Sequence, residues 1–401
     1  MEMKKISFLL SIILINSNII TAQSNIDNVA LDTLLKVAER TQSDAIVIYK
    51  DGKLYGEYYF GGQPKPICAM SSTKSISNLA IGKLLTDGLL KSIDQPITDF
   101  YPEWKQGMKK DITIRMLMNH TSGIQNLSIA SEEINESPDW VKLALAAEIV
   151  TKPGTVFSYN NKAVNLLAGV VKILTHRRMD SYIRDNIFAP LGIENYSWEA
   201  DVEGNTDAMG GLNILPKDLA KLGQFFLQKG NWDGKQIINS SWFDETVKPS
   251  EKSPTCGLLW WLEYEKVNAI IDDAQIDTLK KVGFDNAILK KVNQIKGIYP
   301  IEEYFQVFNE KIVNTTPNWL TKYSPLLSRN GITLSRKEYG KVNSYSARGF
   351  LGNYMTIFPQ SNLIVVRMIS EKSFKRGNGN TDDDGPHNFL NFYFLAKNLI
   401  K

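Results

Sequence analysis

A serine and a lysine stand three residues apart in Ser71-Ser72-Thr73-Lys74, where an apolar helix is expected to begin. On a helix, positions i and i+3 share a face, so the Ser71 hydroxyl and the Lys74 amine can meet. A hydroxyl beside an amine that can take its proton is a nucleophile with a built-in base, the chemistry of acyl transfer. S-x-x-K also arises by chance, so its meaning depends on partners elsewhere in the chain.

Two further constellations qualify as partners. Tyr159-Asn160-Asn161 follows the turn Lys152-Pro153-Gly154 and precedes a helix carrying Leu166. On a short irregular segment both Tyr159 and Asn161 could point into a cleft. A tyrosine there can relay a proton, and an asparagine amide can hold a substrate carbonyl or orient the lysine. The plainer reading is an N-cap turn for the helix that follows. Ala347-Arg348-Gly349-Phe350 lies just before the last pair of strands. A strand glycine beside a nucleophile lets a substrate backbone approach closely, and the Phe350 N–H could join that of Ser71 as an oxyanion hole. A bulge is the plainer reading.

Other chemistries find less support. The three histidines are His120, His176 and His387, and no serine sits in a G-x-S-x-G elbow, which argues against a Ser-His-Asp triad. His120 is expected to hold a turn by hydrogen bonds, and His176 to lie on an exposed helix end. So few ligands disfavour zinc, and Asp382-Asp383-Asp384-Gly385 reads as a solvated loop. No metal or cofactor is expected. The two cysteines, Cys68 and Cys256, could pair in an exported protein or stand as separate buried thiols. For Cys68, three residues before Ser71, packing is the better reading.

The elements that must position these groups can be read along the chain. Residues 44–60 form a hairpin, with Asp51-Gly52 supplying the positive φ of its turn. A helix with Ile76, Leu79, Ala80, Leu84 and Leu85 on one side follows Ser71 and ends near Gly88. Residues 90–230 read as mainly helical, with an apolar stripe at Leu166, Leu167, Val170, Val171 and Leu174. Another helix runs to Leu227 from Pro216, which suits a first turn. Residues 354–358 and 363–368 form a second hairpin, and 386–400 a closing helix. Strands at both ends and helices between give a mixed α/β fold: an antiparallel sheet built by the two chain ends, flanked by helices.

The first 22 residues read as a secretory signal, with Lys4 and Lys5, the apolar run Phe8 to Ile15, and small residues at Thr21-Ala22. The expected location is therefore periplasmic or secreted, with no membrane span after cleavage, because Asn16, Ser17 and Asn18 break the apolar run. The formal charge of +3 loses one unit with that leader, which carries Glu2, Lys4 and Lys5. So small a charge, with no arginine-rich arm, argues against a nucleic-acid partner. Residues 23–401 are then one domain, with a helical subdomain at about 90–230.

Taken in order, Ser71-x-x-Lys74, Tyr159-x-Asn161 and the Gly349 strand resemble the motifs of the penicillin-recognising serine hydrolases. The resemblance is greatest to the class C β-lactamase branch with its related esterases and peptidases. Ser92-Ile93-Asp94-Gln95-Pro96-Ile97, His120-Thr121-Ser122-Gly123-Ile124, Pro190-Leu191-Gly192, Gly210-Gly211-Leu212 and Gly234-Lys235-Gln236 agree. The resemblance spans roughly 40–262 and 343–400. It implies a β-lactamase/transpeptidase-like fold and a covalent acyl intermediate on Ser71. Lys74 and Tyr159 would share the proton transfers, and which of them is the base stays open. Asn161, Gly349 and Phe350 would bind substrate.

The chain departs from that pattern twice. Ala347 stands where such enzymes usually carry lysine or histidine, which weakens the case for gripping a carboxylate. Strand alternation sends Arg348 to the opposite face, so it is not an obvious replacement. Residues 264–340 are an insertion, expected to be helical with buried faces at Ile270, Ile271, Ile276, Leu279, Ile301, Phe305, Phe308 and Ile312. A lid and a surface ornament are both open for it. The expected activity is hydrolysis of a small ester or amide, as in 6-aminohexanoate-dimer hydrolase and family esterases. A D-alanyl-D-alanine peptidase or β-lactamase, or a non-catalytic cell-wall-binding or sensor protein, are the alternatives.

Overall fold

The computed structural model describes residues 26–127, 130–374 and 388–400. The leader, His387 and Asp382-Asp383-Asp384 lie outside the described residues.

One six-stranded antiparallel sheet organises the molecule. Its strands are β1 (Ala45–Lys50), β2 (Lys53–Tyr59), β3 (Trp261–Tyr264), β4 (Val342–Gly349), β5 (Asn353–Phe358) and β6 (Leu363–Met368), in the spatial order β2-β1-β6-β5-β4-β3. The β1–β6 pairing, Ala45 opposite Met368 through Lys50 opposite Leu363, joins the two ends of the chain. The expected sheet is thus present, with both hairpins. The first closes through Asp51 and Gly52, at φ +51° and +79°.

The central strands read as unbroken apolar runs because both faces are covered. Val47, Ala347, Met355, Ile357, Ile364 and Val366 face the large core shared with the helical region. Ile46, Ile48, Tyr354, Phe358, Leu363 and Val365 face a smaller core on the other side. That second core is roofed by α1 (Asn28–Arg40) and by α5 (Phe389–Lys397), the closing helix. Arg367 also lies on that side and donates to the Ser43 hydroxyl and to the Thr41 hydroxyl and carbonyl.

Three helices matter to the site: α2 (Thr73–Thr86), α3 (Asn161–Thr175) and α4 (Pro216–Leu227). The one-sided burial expected of α2 is not what forms. From Thr73 to Gly82 the helix is buried all round. Polar residues of the helix and its N-cap are partners for backbone carbonyls: the N-cap Ser72 Oγ donates to Asn353 O at the start of β5 (2.7 Å), Ser75 Oγ to Leu259 O (2.7 Å), and Asn78 Nδ2 to Leu258 O (2.9 Å). Each such bond contributes about 1 kcal/mol net, and orphaning a buried carbonyl costs ~1–3 kcal/mol, so this polar helix stays in the core.

The insertion differs from its expectation. It has helices, but Ile270 and Ile271 lie in a strand, Val267–Ile271, flanked by Gly297–Pro300 and Arg336–Tyr339 in a three-stranded sheet. Two adjacent isoleucines do not distinguish a short strand from a helix turn. Phe305, expected on a buried face, is 52% exposed. The rest forms a separate core around Leu279, Ile288, Val292, Ile312 and Trp319.

Candidate active site

Ser71 is placed by strain and by stapling. The short strand Ile67–Cys68 pairs with Leu212–Ile214, and Ala69 N–H donates to Leu212 O at 2.8 Å. Met70 then adopts φ +51°, a left-handed conformation that costs a side-chain-bearing residue free energy, and the chain enters the turn that becomes α2. Leu259, which lines the same cleft as Ser71, is also left-handed, at φ +61°. Such strain persists only where the surroundings enforce it, and it concentrates at functional sites.

On that turn Lys74 Nζ lies 3.0 Å from Ser71 Oγ and donates to Met209 O at 2.7 Å. The nitrogen also stands over the Tyr159 ring, 5.0 Å from its centroid. Ser71, Lys74 and Tyr159 line one cleft with Ser75, His120, Cys256, Leu259, Trp260, Trp261 and Arg348. Residues as far apart in the chain as Ser71 and Arg348 thus meet in one cleft. No residue of the insertion lines this cleft among those described.

Tyr159 is held by the His120 turn. The Asn160 N–H donates to His120 Nδ1 at 3.2 Å, and Asn160 Nδ2 donates to Ile124 O at 2.6 Å. Asn126 Nδ2 donates to the Tyr159 carbonyl at 3.0 Å. The His120 ring packs on Tyr159 at 4.6 Å, and Trp261 stacks on Tyr159 from 6.1 Å. Burial, with the nearby Lys74 charge second, pushes the His120 imidazole down to about 3. It is therefore neutral at physiological pH, an acceptor at Nδ1, which matches its expected turn-holding role.

The third motif behaves differently from its expectation. A Cβ on Gly349 would come within 2.3 Å of the Ala69 carbonyl and 3.1 Å of Met70 Cβ. The close approach that Gly349 permits on that side is therefore to the protein's own nucleophile turn. Ala347 faces the large core, and Arg348 lies on the other face as alternation requires. Yet Arg348 also lines the cleft. Its guanidinium packs over Phe389 at 3.6 Å and Trp261 at 5.3 Å, and donates to Glu263 at 2.6 Å. Being on the opposite face did not remove it from the site, because a long side chain at the end of β4 reaches the edge strand β3. Burial pushes the Glu263 carboxyl up, against the pull of Arg348 and of Ser344.

Asn160 is the N-cap of α3, accepting from the Ala163 N–H, so the capping reading holds for that residue. Asn161 is the first helical residue instead of part of an irregular loop. It is not among the residues that line the cleft, and its Oδ1 is buried without a hydrogen-bond partner. Phe350 begins a short turn, with its ring 53% exposed. Both cysteines are free thiols. Burial raises Cys68 to about 11 and Cys256 to about 12, which leaves both as packing groups. Sequence reasoning missed Trp261 and Cys256 as cleft residues. The aromatic pair Trp260-Trp261 just before the insertion was the available signal.

Before any particular relative is considered, the fold and the site define a mixed α/β protein that holds a serine beside a lysine in a cleft. A family profile described as Beta-lactamase matches residues 31–278, more than half the chain, and the chain belongs to that family, whose members are in general serine hydrolases. Among curated proteins it is similar to Protein flp of Staphylococcus aureus (strain MW2), with 29% identity over 185 residues, 41% of this chain and 37% of that one. The chain thus spans little more than a third of that relative's length. Among solved structures it is similar to a Bacillus anthracis protein named as a candidate 6-aminohexanoate-dimer hydrolase (TM-score 0.59, 16% identity, 90% of this chain and 80% of that chain). It is also similar to a penicillin binding protein from Bacillus halodurans (TM-score 0.55, 16% identity, 84% and 95%). Identities this low speak for the fold alone.

Proposed function

We propose that this chain hydrolyses a small ester or amide through an acyl-enzyme on Ser71. The observation that carries the reading is the 3.0 Å contact of Lys74 Nζ with Ser71 Oγ inside a cleft that Tyr159 also lines. The Ser71 proton passes to Lys74 or Tyr159 as Oγ attacks the substrate carbonyl carbon. The carbonyl oxygen becomes an oxyanion facing the N–H groups of Ser71 and Phe350. The proton then goes to the departing alcohol or amine as its bond to carbon breaks. Water, giving a proton to the same base, attacks the acyl carbon and restores Ser71.

Arg348 favours a second reading. A cation on the cleft wall could grip the carboxylate of a D-peptide or a β-lactam. Its engagement with Glu263 is why the ester or amide reading stays first. The leader supports export to the periplasm or medium. No described helix is long and apolar enough to cross a membrane.

Intact-mass measurement after separate incubation with a fluorophosphonate and a fluorescent penicillin tests the proposal. The expected result is a fluorophosphonate adduct on the wild type and none on Ser71→Ala. Labelling by penicillin at low concentration would favour the second reading. The absence of both adducts would point to a non-catalytic binding or sensor role.

A further inference from the structure

Asp207 is a buried carboxylate, 6% exposed, that the mechanism above does not use. Its Oδ1 accepts two backbone N–H groups, those of Met209 (2.9 Å) and Gly210 (3.1 Å). Between them stands the Met209 carbonyl, the one that receives the Lys74 N–H at 2.7 Å. The flanking backbone is pinned independently. The Ala208 N–H donates to Asn165 Oδ1 on α3 at 3.1 Å, and Ser77 Oγ on α2 donates to Ala208 O at 2.8 Å. Gly211 completes the fit, because a Cβ there would come within 2.8 Å of Asp207 Cβ and 2.7 Å of Glu199 Cβ.

We propose that Asp207 is a positioning residue for acyl transfer. By holding the Met209-Gly210 backbone it aims the Met209 carbonyl at Lys74, and so fixes the direction in which Lys74 presents its lone pair to Ser71. This rests on the reading of Ser71 as nucleophile with Lys74 beside it as base.

The argument is one of donor geometry. A carbonyl only accepts, so Lys74 must spend an N–H on Met209 O whether it is an ammonium or an amine. With the bond to Cε and the N–H to Met209 O fixed, two of the four tetrahedral directions remain, and the one toward Ser71 holds a hydrogen in one state and can hold the lone pair in the other. A carbonyl free to swing would let the amine rotate. Misplacement of a reacting group by about an ångström can cost on the order of a hundredfold in rate.

Charge adds to geometry. The charged groups facing Asp207 are Lys74 from α2 and Glu199 from the segment after Trp198, while α3 presents the neutral Asn165. Burial raises the Asp207 carboxyl to about 6, against the pull of the Met209 N–H and of Lys74.

The test is the rate of fluorophosphonate labelling at Ser71, with pH profiles, for the wild type, Asp207→Ala, Asp207→Asn and Ser77→Ala. Asp207→Ala is expected to label slower by on the order of tenfold or more. Asp207→Asn keeps an oxygen acceptor of the same shape and should recover most of that rate. Ser77→Ala loosens the same loop at a carbonyl that does not meet Lys74 and should label at the wild-type rate. If Asp207→Asn labels tenfold or more slower than the wild type, or if Ser77→Ala does, the positioning role is overturned while the hydrolase reading stands. Should Asp207→Ala not fold, Asp207→Asn and Ser77→Ala still decide. A wild type that never labels overturns both readings.

Discussion

At the scale of single residues, His120 and Asp207 give the molecule an unusual acid response. The native imidazole is held down at about 3 against an ordinary 6.5, so between those values the unfolded chain binds the extra proton and stability rises with pH. The native Asp207 carboxyl is raised from 3.8 to about 6, so between those values the native state binds the extra proton and stability falls with pH. The two windows overlap and their slopes oppose. Replacing His120 by Asn should therefore make stability fall as pH rises from about 4 to about 6, beyond the wild type. Urea unfolding at a series of pH values measures it, and a slope unchanged from wild type would count against the assignment. Gly349→Ala belongs to the same scale. Its methyl would meet the Ala69 carbonyl at 2.3 Å, so the turn carrying Ser71 must move. Slower Ser71 labelling, with a melting temperature lowered by several degrees, is expected.

At the scale of elements, the Arg348–Glu263 pair ties β4 to the edge strand β3 beside the cleft. Removing Arg348 alone leaves Glu263 buried without its cation, at a cost of about 3 kcal/mol, the low end for such pairs because Arg348 is partly exposed. The double variant Arg348→Met, Glu263→Gln should regain most of that loss. Thermal melts of both check it, and a double variant no more stable than the single would show that packing on Phe389 and Trp261 dominates. Elements of this kind also mark what a sequence discloses. The Ser71–Lys74 contact is one helical turn long, so spacing alone revealed it. The hairpins carry their own turn chemistry and were legible for the same reason. Arg348 over Trp261 and Asp207 under Lys74 join positions far apart in the chain, and no local pattern encodes such a meeting. The strands of the insertion are short, and their apolar residues fit a helix turn equally well.

At the scale of the whole molecule, the insertion stands apart. It keeps its own core and is joined where Glu265 N–H meets Lys341 O (2.9 Å) and Gly340 N–H meets Lys266 O (3.0 Å). Its two ends are therefore neighbours across a two-stranded ladder, and a tight turn could replace it. A chain in which residues 267–339 give way to such a turn should fold and label at Ser71, because no described residue of the insertion lines the cleft. An altered ester preference in that variant would instead support a lid.

The pairing of β1 with β6 has a consequence for how the activity comes into being. Ser71 lies far earlier in the sequence than β4, which brings Gly349 against the Ala69 carbonyl and Arg348 to the cleft. The sheet closes only when residues some three hundred positions apart meet, and contacts of such separation slow folding because the loop entropy is lost before they form. Ser72 Oγ meets Asn353 O and Gly349 abuts the Ala69 carbonyl, so the turn that carries Ser71 takes its final shape only with β4 and β5 in place. The site would then be shaped late in folding, with closure of the sheet.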